Sequence, residues 1–327
     1  MSNQTVYLSG ATGFIGGRLA QRLLARGDRV RCLVRSPERA ESLRAAGAEL
    51  IRGDITDAAA VRSALHGVDL AFHLAAIYDM GVVDAAALEK TNVTGTAVFL
   101  DAVKSENIPR SVYVSTTVAL GPSGEGESDN IEAYKGPYPS QYHRTKAEAH
   151  AKARAAQAAG LPLVIACPAY VYGPGDQGPG GHFIKDLLHY RIPGLLSRPS
   201  WFSYVHVDDV VDGLIAAGDR GRTGDVYVLG GEAASVNSYA ERVAKLGGVR
   251  APFLRFPPAM ARLTGVAMDA VGRLTGWRLP ISRENVDSTA YDRWIHSFAR
   301  TSRELGYKPR SLQEGLPETV AWFKRTG

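Results

Sequence analysis

The chain has 327 residues, of which 45% are hydrophobic and 22% are charged; this is ordinary globular usage and excludes an intrinsically disordered chain. That length suffices for one large α/β domain or for two lobes. The formal charge of +5 comes from 38 basic and 33 acidic residues spread along the chain, which does not indicate binding to nucleic acid or to a membrane.

The cysteines and the apolar runs limit the class of protein further. Cys32 and Cys167 each lie in an apolar run, so we expect two buried, reduced thiols rather than a disulfide or a metal site. We see no signal peptide before the first apolar run, and no run reaches the roughly 18 residues that span a bilayer. We therefore expect a cytoplasmic protein with no membrane span and no bound metal.

Short apolar runs alternate with stretches of helical period through the first half of the chain. The runs are rich in Val, Leu and Ile and are typical of parallel strands buried on both faces; they cover 5–10, 28–35, 48–54, 69–76, 110–117 and 161–168. Between the first two, Ile15, Leu19 and Leu23 recur every four residues and mark one apolar helix face. The alternation predicts an α/β fold with a Rossmann-type, doubly wound parallel sheet.

The second half of the chain is less regular. Residues 167–183 are crowded with Gly and Pro, which predicts a long loop. Later elements are predicted at 206–220, at 225–231 (a strand) and at 312–325 (a closing helix). We predict a Rossmann domain over 1–168, rejoined by 203–231, and a smaller, irregular substrate-binding lobe made of 169–202 and 232–327.

Three glycines, Gly10, Gly13 and Gly16, lie directly between the first predicted strand and its helix. A turn this tight needs residues without Cβ, so that the backbone can approach a pyrophosphate and the first amides of the helix can face its charge. The G-x-x-G-x-x-G spacing is one residue wider than the usual dehydrogenase fingerprint. In this position it predicts a dinucleotide site.

The end of the second predicted strand indicates which dinucleotide binds. An acidic residue about 20 positions after the turn would hold the ribose hydroxyls of NAD. That slot holds Arg35, with Ser36 and Arg39 close by, whereas the acids Glu38 and Glu41 fall in the next helix. Because a guanidinium and a hydroxyl suit a 2′-phosphate, NADP(H) is predicted over NAD(H).

The stretch "YHRTK" places Tyr142 four residues before Lys146 at the start of a predicted helix. Residues four apart are neighbours on a helix, so the ammonium would favour the phenolate and lower the pKa of Tyr142 toward that of a general acid/base. Ser115 and Thr116 end a predicted strand, where open α/β sheets bind their ligands. Together these residues predict proton transfer to or from a carbonyl or alcohol substrate.

Six motifs in a fixed order carry a family resemblance: "GATGFIG", "HLAA", "KTNVTGT", "VSTTVALG", "YHRTK" and "CPAYVYGP". With them the chain resembles the extended short-chain dehydrogenase/reductase superfamily, also called the NAD-dependent epimerase/dehydratase family. The resemblance covers nearly the whole chain. It is closest to the dihydroflavonol reductase-like branch, which includes hopanoid-associated sugar epimerase-like proteins.

The resemblance implies roles for the residues at matching positions. Tyr142 is expected to be the acid/base, with Lys146 on the nicotinamide ribose and Thr116, with Ser115 beside it, holding the substrate oxygen. The expected cofactor contacts are Gly10, Thr12, Gly13, Phe14, Ile15, Gly16, Arg35, Asp54, Ile55, Leu74, Ala75, Ala76, Tyr142, Lys146, Pro168 and Val171. Asn92 is a weaker candidate, and a homodimer through the helices that carry Asn92 and Tyr142 is usual in the family.

Two further residues, His73 and His206, lie in strand-like motifs of the family, and we expect structural roles for both.

The family's reactions share a hydride transfer and differ in the step after it. A reductase releases its product, whereas an epimerase or dehydratase returns the hydride to the changed substrate. Nucleotide-sugar members commonly carry an Arg-Asp pair where this chain has Phe202 and Ser203, which removes a bidentate phosphate partner, although Arg198 could reach a phosphate.

We therefore expect an NADP(H)-dependent oxidoreductase acting on a small or moderately apolar ketone or secondary alcohol. The alternative is a sugar or nucleotide-sugar epimerase or dehydratase with internal hydride return. A cofactor-sensing regulator without catalysis is a third hypothesis.

Overall fold

The structure, a computed structural model, describes residues 4–78, 84–275, 283–288 and 293–326. These residues form strands that we number in chain order: β1 Thr5–Ser9, β2 Arg29–Val34, β3 Glu49–Arg52, β4 Leu70–His73, β5 Ser111–Val114, β6 Leu163–Pro168, β7 Tyr170–Tyr172, β8 Gly194–Leu196, β9 Trp201–His206, β10 Val226–Leu229, β11 Glu232–Ser235, β12 Leu254–Phe256 and β13 Arg293–Trp294.

The α-helices are α1 Phe14–Arg26, α2 Glu41–Ala45, α3 Ala58–Leu65, α4 Ala85–Leu88, α5 Gly95–Ser105, α6 Gln141–Ala158, α7 Pro179–Leu188, α8 Val207–Arg220, α9 Val236–Gly247, α10 Pro258–Thr275, α11 Arg283–Ser288, α12 Ala299–Leu305 and α13 Leu312–Thr326. Short 3₁₀ segments lie at Pro37–Ala40 and Thr117–Leu120, and a π-helical segment lies at Glu89–Thr94.

The main sheet has seven strands in the order β3-β2-β1-β4-β5-β6-β10. Every neighbouring pair in it is parallel, and two apolar core clusters form around it. The α1 residues Leu19 and Leu23 are fully buried, as their four-residue spacing predicts. The predicted α/β, doubly wound parallel sheet is confirmed.

A second, smaller sheet is built around β9. It pairs antiparallel with β11 and parallel with β7 and β13, and β8 and β12 form a separate parallel pair. Of the segment 203–231, which is predicted to rejoin the first domain, β10 pairs with β6 and α8 packs against α1. Strand β9, in contrast, hydrogen-bonds within the second sheet.

The loop predicted over 167–183 needs correction. Part of this segment is regular, because β7 pairs with β9 from Tyr170 to Tyr172 and α7 begins at Pro179. Its prolines and glycines are compatible with this, since Pro is well tolerated in the first turn of a helix. The pairing partner of β7 lies more than 30 residues away, so local composition could not reveal it.

Both cysteines are buried and free, as predicted. None of the helices in the described ranges is long and apolar enough to cross a bilayer.

Candidate active site

The glycine turn lies where the strand order of the main sheet reverses, between β1 and β4. Ligands of open α/β sheets bind in the crevice at this point. Gly10 follows β1 with φ of +82°, and a Cβ there would lie 2.8 Å from the backbone nitrogen of Ala75. Both the backbone conformation and the close approach of the segment after β4 therefore require glycine at this position.

The first turn of α1 faces this crevice without a competing negative charge. Gly13 is the N-cap residue and provides no side-chain hydrogen bond, and no acidic residue lies in the first turn. A Cβ on Gly16 would lie 2.1 Å from the carbonyl oxygen of Gly10, so the turn can only be this tight with glycine at 16. Thr12 is exposed, and Phe14 and Ile15 are partly buried. The uncapped amides and the helix dipole suit the pyrophosphate of a dinucleotide.

Arg35 lies directly after β2 and is exposed. Within the described ranges its side chain makes no hydrogen bond or close ion pair, although its charge acts on Asp54. Partial burial opposes ionisation of Asp54, but hydrogen bonds from Thr56 and the charges of Arg35 and Lys90 lower the pKa of that carboxyl. The guanidinium is therefore free to bind an anion at this edge of the crevice.

The remaining predicted cofactor residues lie at or after the carboxyl ends of β3, β4 and β6, or in β7. Leu74 and Ala75 are partly buried and Ala76 is exposed after β4, whereas Ile55 is buried and packs against Gly95 at the start of α5. Pro168 ends β6, and Val171 lies in β7, paired with β9.

Tyr142 is the second residue of α6 and is 8% exposed. The ring of Tyr78 lies 4.9 Å from its ring, centroid to centroid. Burial raises the pKa of the Tyr142 phenol, and the neighbouring Tyr78 and Tyr113 add to this. The protein's own groups therefore raise the pKa of Tyr142, the direction opposite to the lowering expected from its spacing to Lys146.

Lys146 lies one turn after Tyr142 and is also buried. Its ammonium donates to the carbonyl oxygen of Val114 at 3.3 Å and lies 5.3 Å from the centroid of the Tyr113 ring. Burial lowers the pKa of Lys146 to about 8. Helix α6 thus brings the Lys146 ammonium to the carboxyl end of β5, one turn after the Tyr142 phenol.

The two predicted hydroxyls at the end of β5 have different partners. His150 Nε2 lies 3.0 Å from the Ile131 carbonyl oxygen and must donate to it. Its Nδ1 therefore accepts the proton of Ser115 Oγ at 2.8 Å. Thr116 Oγ1 instead accepts the N–H of Val118 at 3.3 Å, which leaves its own proton free. Thr116 can thus donate to a substrate oxygen, whereas the Ser115 proton is already used.

Substitution of the two hydroxyls should separate their roles. Thr116→Val is expected to lower kcat/KM about 100-fold, because a donor to the substrate oxygen is lost. Ser115→Ala should change kcat little and lower the free energy of unfolding by about 1–2 kcal/mol, since a buried His150 nitrogen loses its donor. Steady-state kinetics and urea unfolding of both variants measure this. A large kinetic effect confined to Ser115→Ala would contradict the assignment.

Asn92, in the π-helical segment, fixes the backbone that carries Tyr78. Its side-chain oxygen accepts the N–H of Ile77 at 2.8 Å, and its nitrogen donates to the Ile77 carbonyl and to Thr145 Oγ1. Thr145 in turn donates to the carbonyl oxygen of Tyr142. Asn92 therefore links the segment after β4 to α6, and the family motif is the only signal of this role in the sequence.

Aromatic side chains continue from Tyr142 into the second sheet. Tyr170 packs against Phe202 and Tyr204 at centroid distances of 5.6 and 5.0 Å, and burial, together with the nearby Tyr78, raises the pKa of its phenol. Tyr204 is buried, whereas Tyr170 and Phe202 are partly exposed. Neither Tyr78 nor Tyr170 follows from spacing or composition, since only the fold brings them toward Tyr142.

The two histidines expected to be structural make structural contacts. His73 Nδ1 lies 2.7 Å from Ser9 Oγ and Nε2 lies 3.2 Å from Thr96 Oγ1, and burial lowers its pKa to about 3. His206 is the N-cap residue of α8, and its Nδ1 accepts the N–H of Asp208. Neither side chain is available for proton transfer at the site.

A group of side chains with metal-ligand chemistry lies away from this site, at His206, Asp208 and Glu318. Both carboxylates already have cationic partners, because Arg18 lies 2.8 Å from Asp208 and Arg310 lies 3.1 Å from Glu318. The group is therefore an ion-pair network rather than a set of free metal ligands.

Comparison with known proteins agrees with this geometry. Residues 6–230 match the "NAD dependent epimerase/dehydratase family". The chain is 30% identical to "Sterol demethylase protein B" of Methylococcus capsulatus, with 99% of both chains covered. It is 28% identical to a Synechocystis protein provisionally named dihydroflavonol 4-reductase, with 98% of this chain and 95% of that protein covered.

Among solved structures, the UDP-glucuronic acid 4-epimerase of Bacillus cereus, in complex with UDP-glucuronic acid and NAD, superimposes with a TM-score of 0.77. The two chains are 22% identical, with 99% of this chain and 100% of the epimerase covered. At that identity the similarity establishes the shared fold alone.

Proposed function

Since the chain belongs to the NAD-dependent epimerase/dehydratase family and is an NAD(P)-dependent enzyme of the extended short-chain dehydrogenase/reductase type, we propose that it is an NADP(H)-dependent oxidoreductase. Its substrate is an apolar ketone or the corresponding secondary alcohol. The expected roles of Tyr142, Lys146 and Thr116 are part of this proposal.

The observation that carries the choice of substrate is the packing at Phe202 and Ser203. Ser203 is buried, and its hydroxyl donates to the carbonyl oxygen of Gly231 and accepts the N–H of the same residue. Phe202 packs against Tyr170 and Tyr204. Nucleotide-sugar members of the family commonly have an arginine in this position, which would bind the sugar diphosphate. This chain has an apolar surface there instead. The names of the relatives, a sterol demethylase protein and a dihydroflavonol reductase, support a substrate of this kind.

The cofactor would be held by the residues around the crevice. The glycine turn and the first amides of α1 would hold the pyrophosphate, Arg35 the 2′-phosphate, and Lys146 the nicotinamide ribose. When bound, the nicotinamide exchanges a hydride with the carbon that bears the substrate oxygen. The remaining steps concern the substrate oxygen and its proton.

Thr116 would donate a hydrogen bond to the substrate carbonyl, and Tyr142 would give its phenolic proton to the oxygen as it becomes an alcohol. The phenol of Tyr142 is protonated at neutral pH, as the acid in ketone reduction must be, because burial opposes its ionisation. Tyr78, whose ring lies 4.9 Å from that of Tyr142 at an angle of 52°, would shield this proton from water.

The NADP preference is tested at Arg35. Arg35→Ala is expected to weaken NADPH binding by about 10- to 100-fold, because the charge-assisted hydrogen bonds to the 2′-phosphate are lost. NADH binding should change less than about twofold, since NADH has no 2′-phosphate. Fluorescence titration of purified protein with each cofactor measures both affinities.

Arg44 provides a matched control for the Arg35 experiment. It is an exposed arginine on α2 whose partner is Glu41, and Arg44→Ala should leave both cofactor affinities unchanged. Equal losses for NADPH and NADH in Arg35→Ala, or no loss for either, would refute the NADP assignment.

A sugar or nucleotide-sugar epimerase remains the second candidate because of one cation near β9. Arg293 in β13 is paired in register with Trp201, and its guanidinium stacks on the Trp201 ring at 5.0 Å. Within the described residues this guanidinium has no carboxylate partner, so it could bind a phosphate. Purification with tightly retained NAD(H) that resists exchange, and no reduction of ketones by NADPH, would favour this candidate.

A further inference from the structure

Helix α10 presents an apolar face to solvent. Its exposed apolar side chains recur every three or four residues, the period of one helix face: Ala259, Met260, Leu263, Val266, Ala267, Ala270, Val271 and Leu274. Leu263 is 72% exposed and Leu274 is 87% exposed. In a globular protein such a stripe normally packs against the core, so its orientation here calls for a partner.

Exposed apolar side chains are concentrated in this part of the molecule. Apart from Tyr78, every large apolar side chain that is exposed in the described ranges lies between residues 190 and 274. Phe253, just before β12, is 75% exposed, and Leu254 follows it. Scattered exposed apolar residues are ordinary, but a concentration of this kind marks an interaction surface.

The same segment carries most of the net charge of the chain. Residues 241–275 contain six basic and two acidic residues, a net charge of +4, compared with +5 for all 327 residues. Three of the basic residues have carboxylate partners, Arg242 with Glu232, Arg255 with Glu241 and Arg262 with Asp287. Lys245 and Arg250 are exposed and have no carboxylate partner within the described residues. A protein partner need not be anionic, whereas a bilayer with anionic lipids matches both the charge and the apolar stripe.

We propose that α10, together with Phe253 and Leu254, docks the protein onto a bilayer that contains anionic lipids. The helix lies in the plane of the interface, with its apolar stripe at the boundary of headgroups and acyl chains and with Lys245 and Arg250 at the headgroups. This is peripheral binding, in which the helix lies on the membrane and does not span it.

Helix α10 is connected through α11 to α6, the helix that carries Tyr142. Helix α10 packs against α11, and Arg262 of α10 lies 2.8 Å from Asp287 of α11. Glu284 of α11 accepts the N–H of Gln141 at 3.3 Å, directly before Tyr142. The docking surface is therefore connected to α6 through α11, and the docking itself does not depend on the proposed function.

Vesicle flotation tests the proposal with the whole 327-residue chain. The probe is vesicles of equal parts phosphatidylcholine and phosphatidylglycerol, with phosphatidylcholine alone for comparison. Wild-type protein should float with the anionic vesicles and much less with the neutral ones. The double variant L263Q/L274Q should lower the bound fraction about tenfold, since two apolar side chains leave the interface, whereas the control L263M/L274M should bind like wild type.

A second pair of variants tests the contribution of charge. Arg250 is exposed on this surface and Arg44 is exposed on α2, so Arg250→Gln and Arg44→Gln remove the same charge at different places. Only Arg250→Gln should weaken flotation, by about three- to fivefold. Equal losses in both variants would mean that the net charge of the protein, and not this surface, attracts the vesicles, and would overturn the proposal.

Two other results would overturn the proposal. The first is wild-type protein that floats with neither vesicle, or L263Q/L274Q protein that floats as well as wild type. The second is a smaller particle for L263Q/L274Q than for wild type in light scattering, which would mean that a second copy of the chain covers the stripe. NADPH titration of the same variants should match wild type, so loss of docking and failure of the proposed NADP function give separate signals.

Discussion

Tyr142→Phe is expected to lower kcat/KM for ketone reduction by about 10³-fold while NADPH affinity stays within about twofold of wild type. The change removes one oxygen from a buried side chain, so the ring still packs against Tyr78 while the proton donor is lost. Steady-state assays with NADPH and a ketone measure kcat/KM, and fluorescence titration with NADPH measures the cofactor affinity on the same preparation.

Tyr138 is the matched control for this prediction. It lies four residues before Tyr142, and its hydroxyl donates to the carbonyl oxygen of Tyr134 at 2.8 Å. Tyr138→Phe therefore removes an equivalent oxygen that is engaged in a loop contact, and kcat/KM should stay close to the wild-type value. Turnover that survives in Tyr142→Phe, with normal NADPH binding, would exclude Tyr142 as the proton donor.

Gly16→Ala is expected to have the largest effect on the cofactor site. The added Cβ would lie 2.1 Å from the carbonyl oxygen of Gly10. Because the backbone alone fixes the positions of both atoms, no side-chain rotation can relieve the contact. We expect NADPH affinity to fall at least about 100-fold, because the turn must widen. The free energy of unfolding should fall by about 2–4 kcal/mol.

The neighbouring glycine provides the control for Gly16→Ala. A Cβ on Gly17 would lie 3.3 Å from the carbonyl oxygen of Ala11, a tight contact that a small shift relieves, and alanine favours the helix by about 1 kcal/mol. Gly17→Ala should thus retain most NADPH binding and stability in the titration and in urea unfolding. Similar losses in both variants would show that the helix start, and not the close approach at Gly16, limits the site.

The sequence by itself determined the parts of this protein that depend on local spacing. Continuous apolar runs that alternate with helical periods identify the parallel sheet, because strands buried on both faces have no polar alternation. The glycines at 10, 13 and 16 lie in the turn after β1 and at the start of α1, as predicted. Tyr142 and Lys146 share a helix face because residues four apart on a helix are neighbours.

Tertiary structure decided which groups of the site are free. Ser115 and Thr116 are adjacent in sequence, and only the position of His150, 35 residues later, takes the proton of Ser115. The pKa of Tyr142 is raised, the direction opposite to the one expected from Lys146, because the phenol is buried beside Tyr78 and Tyr113. Pairwise spacing contains no information on desolvation, which depends on everything that packs around a group.

The orientation of α10 is the clearest case of the same limit. A period of three to four residues predicts an amphipathic helix, yet the period is identical whether the apolar stripe faces the core or the solvent. The basic residues of 241–275 likewise do not indicate a binding surface when the sequence is read alone. They do so only because the structure places an exposed apolar stripe in the same segment. Sequence periodicity thus determines which residues share a helix face, and the tertiary fold determines which face is exposed to solvent.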